Sequence, residues 1–157
     1  MDKHDPLLSK ISHDAVLGFD FGSKKIGVAV GYADTAIASP LQTIRSHHQT
    51  PDWEKIGKLI GEWRPFELVV GISRQKDGAD NAITPRMEKF CRQLQGRFNL
   101  PVHQIDEMLT TFSAKQQLFD DLHLSAAKLW AVQDQVAAQI ILQSWFNHKS
   151  LNKIHAD

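Results

Sequence analysis

Two short apolar runs near the start of the chain most constrain its fold. They cover residues 15–21 and 26–32, and only the four residues from Gly22 to Lys25 separate them. Short apolar runs bounded by turn residues are typical of β-strands, and a separation this small fits a tight turn. The sequence therefore predicts two neighbouring strands joined by a turn at the beginning of the folded part.

The rest of the chain alternates between strand and helix patterns. Three further strands are predicted from short apolar runs at residues 36–44, 67–72 and 101–106. Pro40 is expected to mark a break or an edge position in the first of these, because proline cannot donate to a strand ladder. Four helices are predicted from capping signals and helical spacing: after Thr50-Pro51, after Thr84-Pro85, from Ser113 to Phe119, and a long final helix to about Phe146. The predicted order is β-β-β-α-β-α-β-α-α.

These patterns predict a single α/β domain with a mixed sheet. The chain has 157 residues, which is the usual length of one domain, and it contains no internal repeat, low-complexity tract or linker. Residues 1–13 mix charged residues without a period and are predicted to be an N-terminal tail. The folded domain is predicted over residues 14–147, with a C-terminal tail at 148–157.

Charge and composition limit the function classes. Eighteen Lys plus Arg balance eighteen Asp plus Glu, so any contact with nucleic acid must come from a local patch. Residues 73–92 offer a modest patch with five basic and three acidic side chains. Cys91 is the only cysteine, the first residues are too charged for a secretory signal, and no apolar run reaches the ~18 residues of a membrane span. We expect a cytoplasmic protein without a membrane partner.

Acidic residues occupy three positions where an ionised carboxylate is costly. Asp20 lies inside the first apolar run, where it needs a partner or a metal. Asp106 and Glu107 stand where the last strand ends, and α/β sheets usually build ligand sites at the carboxyl ends of strands. Asp134 shares a face of the final helix with apolar residues such as Ala138. These acids are candidates for a common site.

Each position also has a purely structural interpretation. Asp20 could cap the following turn, the pair Asp106-Glu107 could be a solvated loop, and Asp134 could lie at a rim or pair with Lys128. Converging acids would instead bind a hard divalent cation such as Mg²⁺, which prefers carboxylate oxygens. Such an ion can activate water for attack on a phosphoryl group. The spacing alone leaves both interpretations open.

Five stretches of the chain form an ordered series of motifs. They are residues 20–30 (DFGSKKIGVAV), residues 39–44 (SPLQTI), the loop 71–78 with Thr84 and Arg86 beyond it, residues 106–111 (DEMLTT), and Asp134 followed by residues 137–143 (AAQIILQ). Together they resemble the YqgF-type family, which is described as pre-16S rRNA nucleases or Holliday-junction-resolvase-like proteins of the RNase H-like superfamily. The resemblance covers roughly residues 14–147.

The resemblance implies an RNase H-like fold, with a mixed sheet of about five strands flanked by helices. The residues that it implies as catalytic, metal-binding acids are Asp20, Glu107 and Asp134. It implies Mg²⁺ or Mn²⁺ as the cofactor. The residues at or near positions that meet nucleic-acid phosphates are Lys24, Lys25, Arg74 and Arg86.

The activity implied by the resemblance is metal-dependent hydrolysis of nucleic-acid phosphodiesters. Processing of the 5′ end of pre-16S rRNA during ribosome biogenesis is the leading interpretation, and cleavage of branched DNA by a Holliday-junction-resolvase-like enzyme is an alternative. A junction resolvase needs two active sites and hence a symmetric dimer, whereas an enzyme that trims single strands can work as a monomer. The chain is therefore expected to be a monomer or a homodimer.

Two other classes compete with a nuclease. Two-lobed ATP-dependent kinases share the motif Asp-x-Gly followed by a lysine-bearing turn, but 157 residues leave no room for a second lobe. A non-catalytic nucleic-acid-binding or ribosome-assembly factor on the same fold stays open, because a fold does not fix a function. Met108 stands where the family usually has arginine, so a bidentate partner for phosphate is missing there.

Overall fold

The computed structural model describes residues 14–71, 83–105 and 125–156, and their strands form one five-stranded sheet. The strands are β1 (Ala15–Asp20), β2 (Lys25–Tyr32), β3 (Ile37–Arg45), β4 (Glu67–Gly71) and β5 (Val102–Gln104). Their order across the sheet is β3-β2-β1-β4-β5. Because β1 pairs antiparallel with β2 and parallel with β4, the sheet is mixed, as the sequence predicted.

Helices cover both faces of this sheet. They are α1 (Trp53–Trp63), α2 (Ile83–Phe98) and α3 (Ala126–Ala156). Alternate residues of a strand point to opposite faces, so Leu17 and Phe19 pack with α1 and α2, whereas Val16 packs with α3. In the described part of the chain, no helix combines the length and the apolar character needed to cross a membrane. The predicted tail at 1–13 and the predicted helix at 113–119 lie outside the described residues.

The start of α1 differs from the prediction. Asp52 caps the helix in place of Thr50, since its side chain accepts a hydrogen bond from the backbone N–H of Lys55 at 3.1 Å. That hydrogen bond holds the pKa of Asp52 below its ordinary value. Thr50 instead exchanges two backbone hydrogen bonds of 2.9 Å with His47. The residues before Pro51 therefore form a tight turn that these two backbone hydrogen bonds close.

The end of α3 also differs from the prediction. The helix continues to Ala156, so nearly all of the segment 148–157 that was predicted to be a tail is helical. Phe146 is the last of the described side chains in the apolar stripe that packs on the sheet, which is why the pattern suggested an earlier end. Residues 126–157 contain neither glycine nor proline, so nothing in the sequence interrupts the helix after the stripe ends.

Pro40 lies on an edge strand, as predicted. Among the described strands, β3 is the outermost on its side of the sheet and pairs only with β2. The register shifts beside the proline, because Val28 pairs with Gln42 and Ala29 pairs with Pro40. Leu41 is thus an extra residue in β3, which is the arrangement of a β-bulge.

A side chain of α3 covers part of this edge. The Oε1 atom of Gln143 accepts a hydrogen bond from the N–H of Ala38 at 3.0 Å, and its Nε2 atom donates to the carbonyl of Ala36 at 2.8 Å. One amide thereby satisfies two partly buried backbone groups. The contact joins the final helix to a strand more than one hundred residues earlier in the chain.

We predict that Gln143→Ala lowers the free energy of unfolding by about 1–3 kcal/mol, the usual cost of leaving buried hydrogen-bonding groups without partners. Urea denaturation followed by circular dichroism measures the change. Asn147→Ala is the matched control on the same helix, because Asn147 is exposed and accepts a hydrogen bond from Gln143. The control is expected to change stability by less than about 0.5 kcal/mol. Equal effects of the two variants would contradict the role given to Gln143.

Candidate active site

Asp20 is the last residue of β1 and is completely buried. It follows Val16 and Gly18 at intervals of two, so its side chain points to the face of the sheet that α3 covers. Its partner across the antiparallel pair is Gly27 of β2. Residues opposed in this way have Cα atoms about 4.5–5.5 Å apart and side-chain positions on the same face.

Gly27 allows α3 to approach the sheet at Asp134. A Cβ atom at position 27 would lie only 1.9 Å from the carbonyl oxygen of Asp134 and 2.3 Å from its carbonyl carbon. The backbone of the helix therefore occupies the space that a side chain would take. Asp134 is 4% exposed. The structure thus brings Asp20 and Asp134, from distant parts of the chain, to the same place on one face of the sheet.

Lys25 supplies a positive charge at this place. Its Nζ atom lies 3.7 Å from Oδ2 of Asp134, and it points to the same face as Gly27 because the two are separated by one residue in β2. The ammonium group offsets the carboxylate that α3 carries into the interface. The sequence suggested Lys128 as a partner for Asp134. Lys128 is exposed, and the positive charge beside Asp134 comes instead from Lys25 of β2.

The third predicted acid, Glu107, lies outside the described residues, but the chain before it can be followed. β1, β4 and β5 are parallel, so their carboxyl ends lie at the same edge of the sheet. The N–H of Ile105 donates to the carbonyl of Val70 at 3.0 Å, next to Gly71, which pairs with Asp20. The chain therefore leaves β5 two strands away from Asp20, about 9–10 Å at the usual strand spacing.

The donors at this site suit a hard divalent cation. Asp20 and Asp134 are the two buried acidic residues of the described part, and carboxylate oxygens are the ligands that Mg²⁺ prefers. Within the described ranges, no three His, Cys, Asp or Glu side chains form a group that could hold a metal. Mg²⁺ usually keeps several waters and takes one or two carboxylates from the protein, so Asp20 and Asp134 are suitable donors.

The predicted phosphate-binding residues fall in different places. Lys24 is exposed in the β1–β2 turn, where its carbonyl accepts a hydrogen bond of 2.9 Å from the N–H of Ser46. Lys25 lies beside Asp134, as described above. Arg86 is exposed on α2, on the other face of the sheet, and Arg74 lies outside the described residues. Of the three predicted residues that the structure describes, Lys25 is the one that contacts a described acid.

Two features of the site escaped the sequence interpretation. The role of Gly27 was not predicted, because the sequence does not show that α3 lies against it. The tight turn at residues 47–50 carried no glycine or Asn-Gly signature, so it was not predicted. His48 and Gln49 nevertheless have positive φ angles of 52° and 64°. The turn is seen only in the structure, where His47 and Thr50 exchange backbone hydrogen bonds.

Comparison with known proteins gives a family match and close relatives. The family model RuvX, described as Holliday junction resolvase, matches residues 14–148. A protein of Methylococcus capsulatus named "Putative pre-16S rRNA nuclease" is 46% identical over 131 residues, which cover 83% of this chain and 87% of that protein. A protein of Methylobacillus flagellatus with the same name is 47% identical over 136 residues, covering 87% of this chain and 92% of that protein.

Solved structures share the fold at low sequence identity. The fowlpox virus resolvase, solved with a substrate Holliday junction DNA, matches with a TM-score of 0.53 at 15% identity and covers 85% of this chain and 97% of its own. T. thermophilus RuvC, solved with a Holliday junction substrate, matches with a TM-score of 0.50 at 16% identity and covers 88% and 96%. These matches confirm the predicted RNase H-like fold of the chain.

Proposed function

The chain belongs to the RuvX family, and from this premise we propose that it is a nuclease that hydrolyses nucleic-acid phosphodiesters with a bound Mg²⁺ or Mn²⁺. One observation carries the proposal: two buried carboxylates, Asp20 and Asp134, lie on the same face of the sheet at the end of β1. Burying carboxylates is costly unless a cation or hydrogen bonds compensate them. Such an arrangement is typical of a metal-dependent active site.

Asp20, Asp134 and Glu107 are the residues that we assign to the metal. When bound, a divalent cation would supply a Lewis acid that lowers the pKa of water and offsets the charge that develops on the phosphate. Asp20 is fixed by the end of β1, and Asp134 is fixed by the packing of α3 on Gly27. Because both acids come from rigid elements, their carboxylates are held in place before substrate binds.

Lys25 beside Asp134 and Lys24 in the turn after Asp20 would reduce the repulsion between the site and a polyanion. Lys25 offsets part of the charge of Asp134 at 3.7 Å. Lys24 is exposed in the turn that follows Asp20, a position from which its ammonium group can reach a phosphate at the edge of the sheet. We assign Lys24 to phosphate binding and Lys25 to the support of Asp134.

We propose pre-16S rRNA as the leading substrate, because relatives 46% and 47% identical carry that substrate in their names. A four-way DNA junction is the second candidate, which the description of the family model favours. The proposed function implies a cytoplasmic location.

Cys91 takes no part in the proposed reaction, since the thiol is buried on the face opposite Asp20 and burial raises its pKa to about 11.

The proposal predicts that the purified chain cleaves RNA only when a divalent cation is present. The assay uses a single-stranded RNA that carries the 5′ leader of 16S rRNA and, in parallel, a four-way DNA junction. Cleavage is expected with Mg²⁺ or Mn²⁺, to be lost in EDTA, and to return when excess Mg²⁺ is added. Sizing of the protein in solution accompanies the assay.

The outcomes separate the candidates. Cleavage of the single-stranded RNA by a monomer supports rRNA processing. Preferential cleavage of the junction by a dimer favours the second candidate. Absence of metal-dependent cleavage of both substrates would contradict the proposed nuclease and leave a non-catalytic binding factor.

A further inference from the structure

A cleft of about 290 Å³ lies between the turn at residues 47–50 and the first part of α2. Its volume is close to the lower end of the range in which proteins bind small ligands, ~300–1,000 Å³. The lining residues that carry its chemistry are Phe21, His48, Trp53, Arg86, Lys89 and Gln93. The cleft is distinct from the acidic site, because its residues belong to the face of the sheet that α1 and α2 cover.

Phe21 connects the cleft to the acidic site. It directly follows Asp20, so the two Cα atoms are about 3.8 Å apart along the chain. Phe21 belongs to the apolar cluster under α1 and α2, whereas Asp20 points toward α3. The cleft and the acids therefore lie on opposite sides of the same strand end, with the exposed Lys24 in the turn beyond them.

The wall formed by the turn is held in place by several contacts. His47 and Thr50 exchange two backbone hydrogen bonds of 2.9 Å, and the imidazole of His47 lies 3.3 Å from the carboxylate of Asp52. His48 and Gln49 at the tip both have positive φ, which is costly for residues other than glycine. Because the surrounding contacts fix this turn, the wall of the cleft is pre-formed.

The lining combines an apolar floor with positive charge. The ring of Phe90 lies 5.1 Å from that of Phe21 and 5.4 Å from that of Trp53, between ring centroids. Arg86 and Lys89 are three residues apart on α2 and therefore occupy the same side of the helix. None of the described residues that line the cleft is Asp or Glu. Phe21 and Phe90 are 5% and 1% exposed, and the guanidinium of Arg97 lies 4.5 Å from the centroid of the Trp53 ring, so the floor is a narrow apolar surface. A narrow apolar floor below two cations suits one flat ring that carries a phosphate.

We propose that this cleft binds an unpaired nucleotide of the substrate strand, next to the phosphodiester that the acids act on. Arg86 and Lys89 contact its phosphate, and the base lies against the aromatic floor. A base within a duplex is stacked on both sides and cannot enter a cleft enclosed by a turn and a helix. The inference rests on the proposed function and deepens it, since it selects a single-stranded substrate.

Binding of a single-stranded oligonucleotide tests the cleft. Fluorescence anisotropy follows a labelled 12-nucleotide RNA, and a duplex of the same sequence, in EDTA so that no cleavage occurs. The test variant is Arg86→Gln with Lys89→Gln. The control is Arg92→Gln, which removes the same kind of charge from an exposed position of the same helix outside the cleft. Circular dichroism checks that each variant is folded.

We expect the double variant to bind the single strand about tenfold more weakly and to show a shallower salt dependence. The slope of log affinity against log salt should fall by about 0.7 for each lost phosphate contact. Arg92→Gln should change the affinity for the single strand by less than about twofold. The double variant should change the affinity for the duplex by less than about twofold. Inorganic phosphate is expected to compete only weakly, because it lacks the base.

The inference would be overturned if the double variant and Arg92→Gln lost affinity equally, or if duplex binding depended on Arg86 and Lys89 to the same extent. Failure of the unmodified chain to bind the single strand would also overturn it. Competition by inorganic phosphate as strong as by the oligonucleotide would also exclude a nucleotide site. A parallel cleavage assay keeps the two proposals apart. Cleavage without cleft-dependent binding removes the cleft proposal alone, whereas cleft-dependent binding without cleavage supports the cleft and contradicts the nuclease.

Discussion

Replacing Asp20 by asparagine is expected to lower metal-dependent cleavage by about 1,000-fold or more. Asparagine keeps the size of the side chain but removes the negative charge that a divalent cation requires, and metal ions stabilise the reacting phosphate by several kcal/mol. About 4 kcal/mol of lost transition-state stabilisation corresponds to three orders of magnitude in rate. Initial rates at saturating Mg²⁺, compared with the unmodified chain, measure the loss.

The same variant should remain as stable as the original or become more stable. Asp20 is completely buried, so a neutral amide avoids the desolvation cost of a carboxylate. Asp34→Asn is the matched control, because Asp34 is exposed in the β2–β3 turn at the other end of the sheet. It should leave the rate unchanged. If Asp20→Asn retained more than about a tenth of the rate, or lost stability in proportion to activity, Asp20 would be structural.

Gly27→Ala is expected to destabilise the fold by more than about 3 kcal/mol and to abolish cleavage. The new methyl group would lie 1.9 Å from the carbonyl oxygen of Asp134. The backbone of β2 fixes the position of the methyl group and the carbonyl is part of the backbone of α3, so neither can rotate away. Overfilling a packed interface usually costs about 1–3 kcal/mol, and a clash with backbone belongs at or above that limit. The total stability of a domain is only about 5–15 kcal/mol. Urea denaturation and the cleavage assay measure the two effects.

Gly61→Ala is the control for this prediction. Gly61 lies in α1, and a Cβ atom there would have no other atom within 4 Å. Alanine is a better helix former than glycine, so the free energy of unfolding of this variant should rise by up to about 1 kcal/mol. The variant should keep full activity. If Gly27→Ala had the same free energy of unfolding as the unmodified chain, α3 could move away from the sheet with little loss of stability. That result would contradict the close approach on which the position of Asp134 depends.

The secondary structure was predictable where a local pattern and a packing requirement agree. The apolar runs gave β1, β2 and β4 to within one residue, because strands buried on both faces are apolar throughout. The edge position of Pro40 followed from its missing N–H. The predictions for the start of α1 and the end of α3 were wrong. Asp52 caps α1 in place of Thr50, and α3 continues beyond the apolar stripe that was used to predict its end.

The candidate site was predictable only in part. Helical spacing placed Asp134 on the buried face of α3, and the structure confirms that Ala138 and Ile141 share this face. The spacing did not show that Gly27 would lie beneath it or that Lys25 would pair with it. The assignment of Asp20, Glu107 and Asp134 to a metal came from the family motifs and stays a prediction.

The sequence by itself determined the fold class, the family and the burial of the two acids. Only the tertiary structure decided that Asp20 and Asp134 meet across Gly27, that Lys25 is the counter-charge, and that a cleft opens behind the same strand end. The physical reason is that periodicity reports which side of an element is buried. What lies against that side depends on packing between residues far apart in the sequence, and no local pattern carries that information.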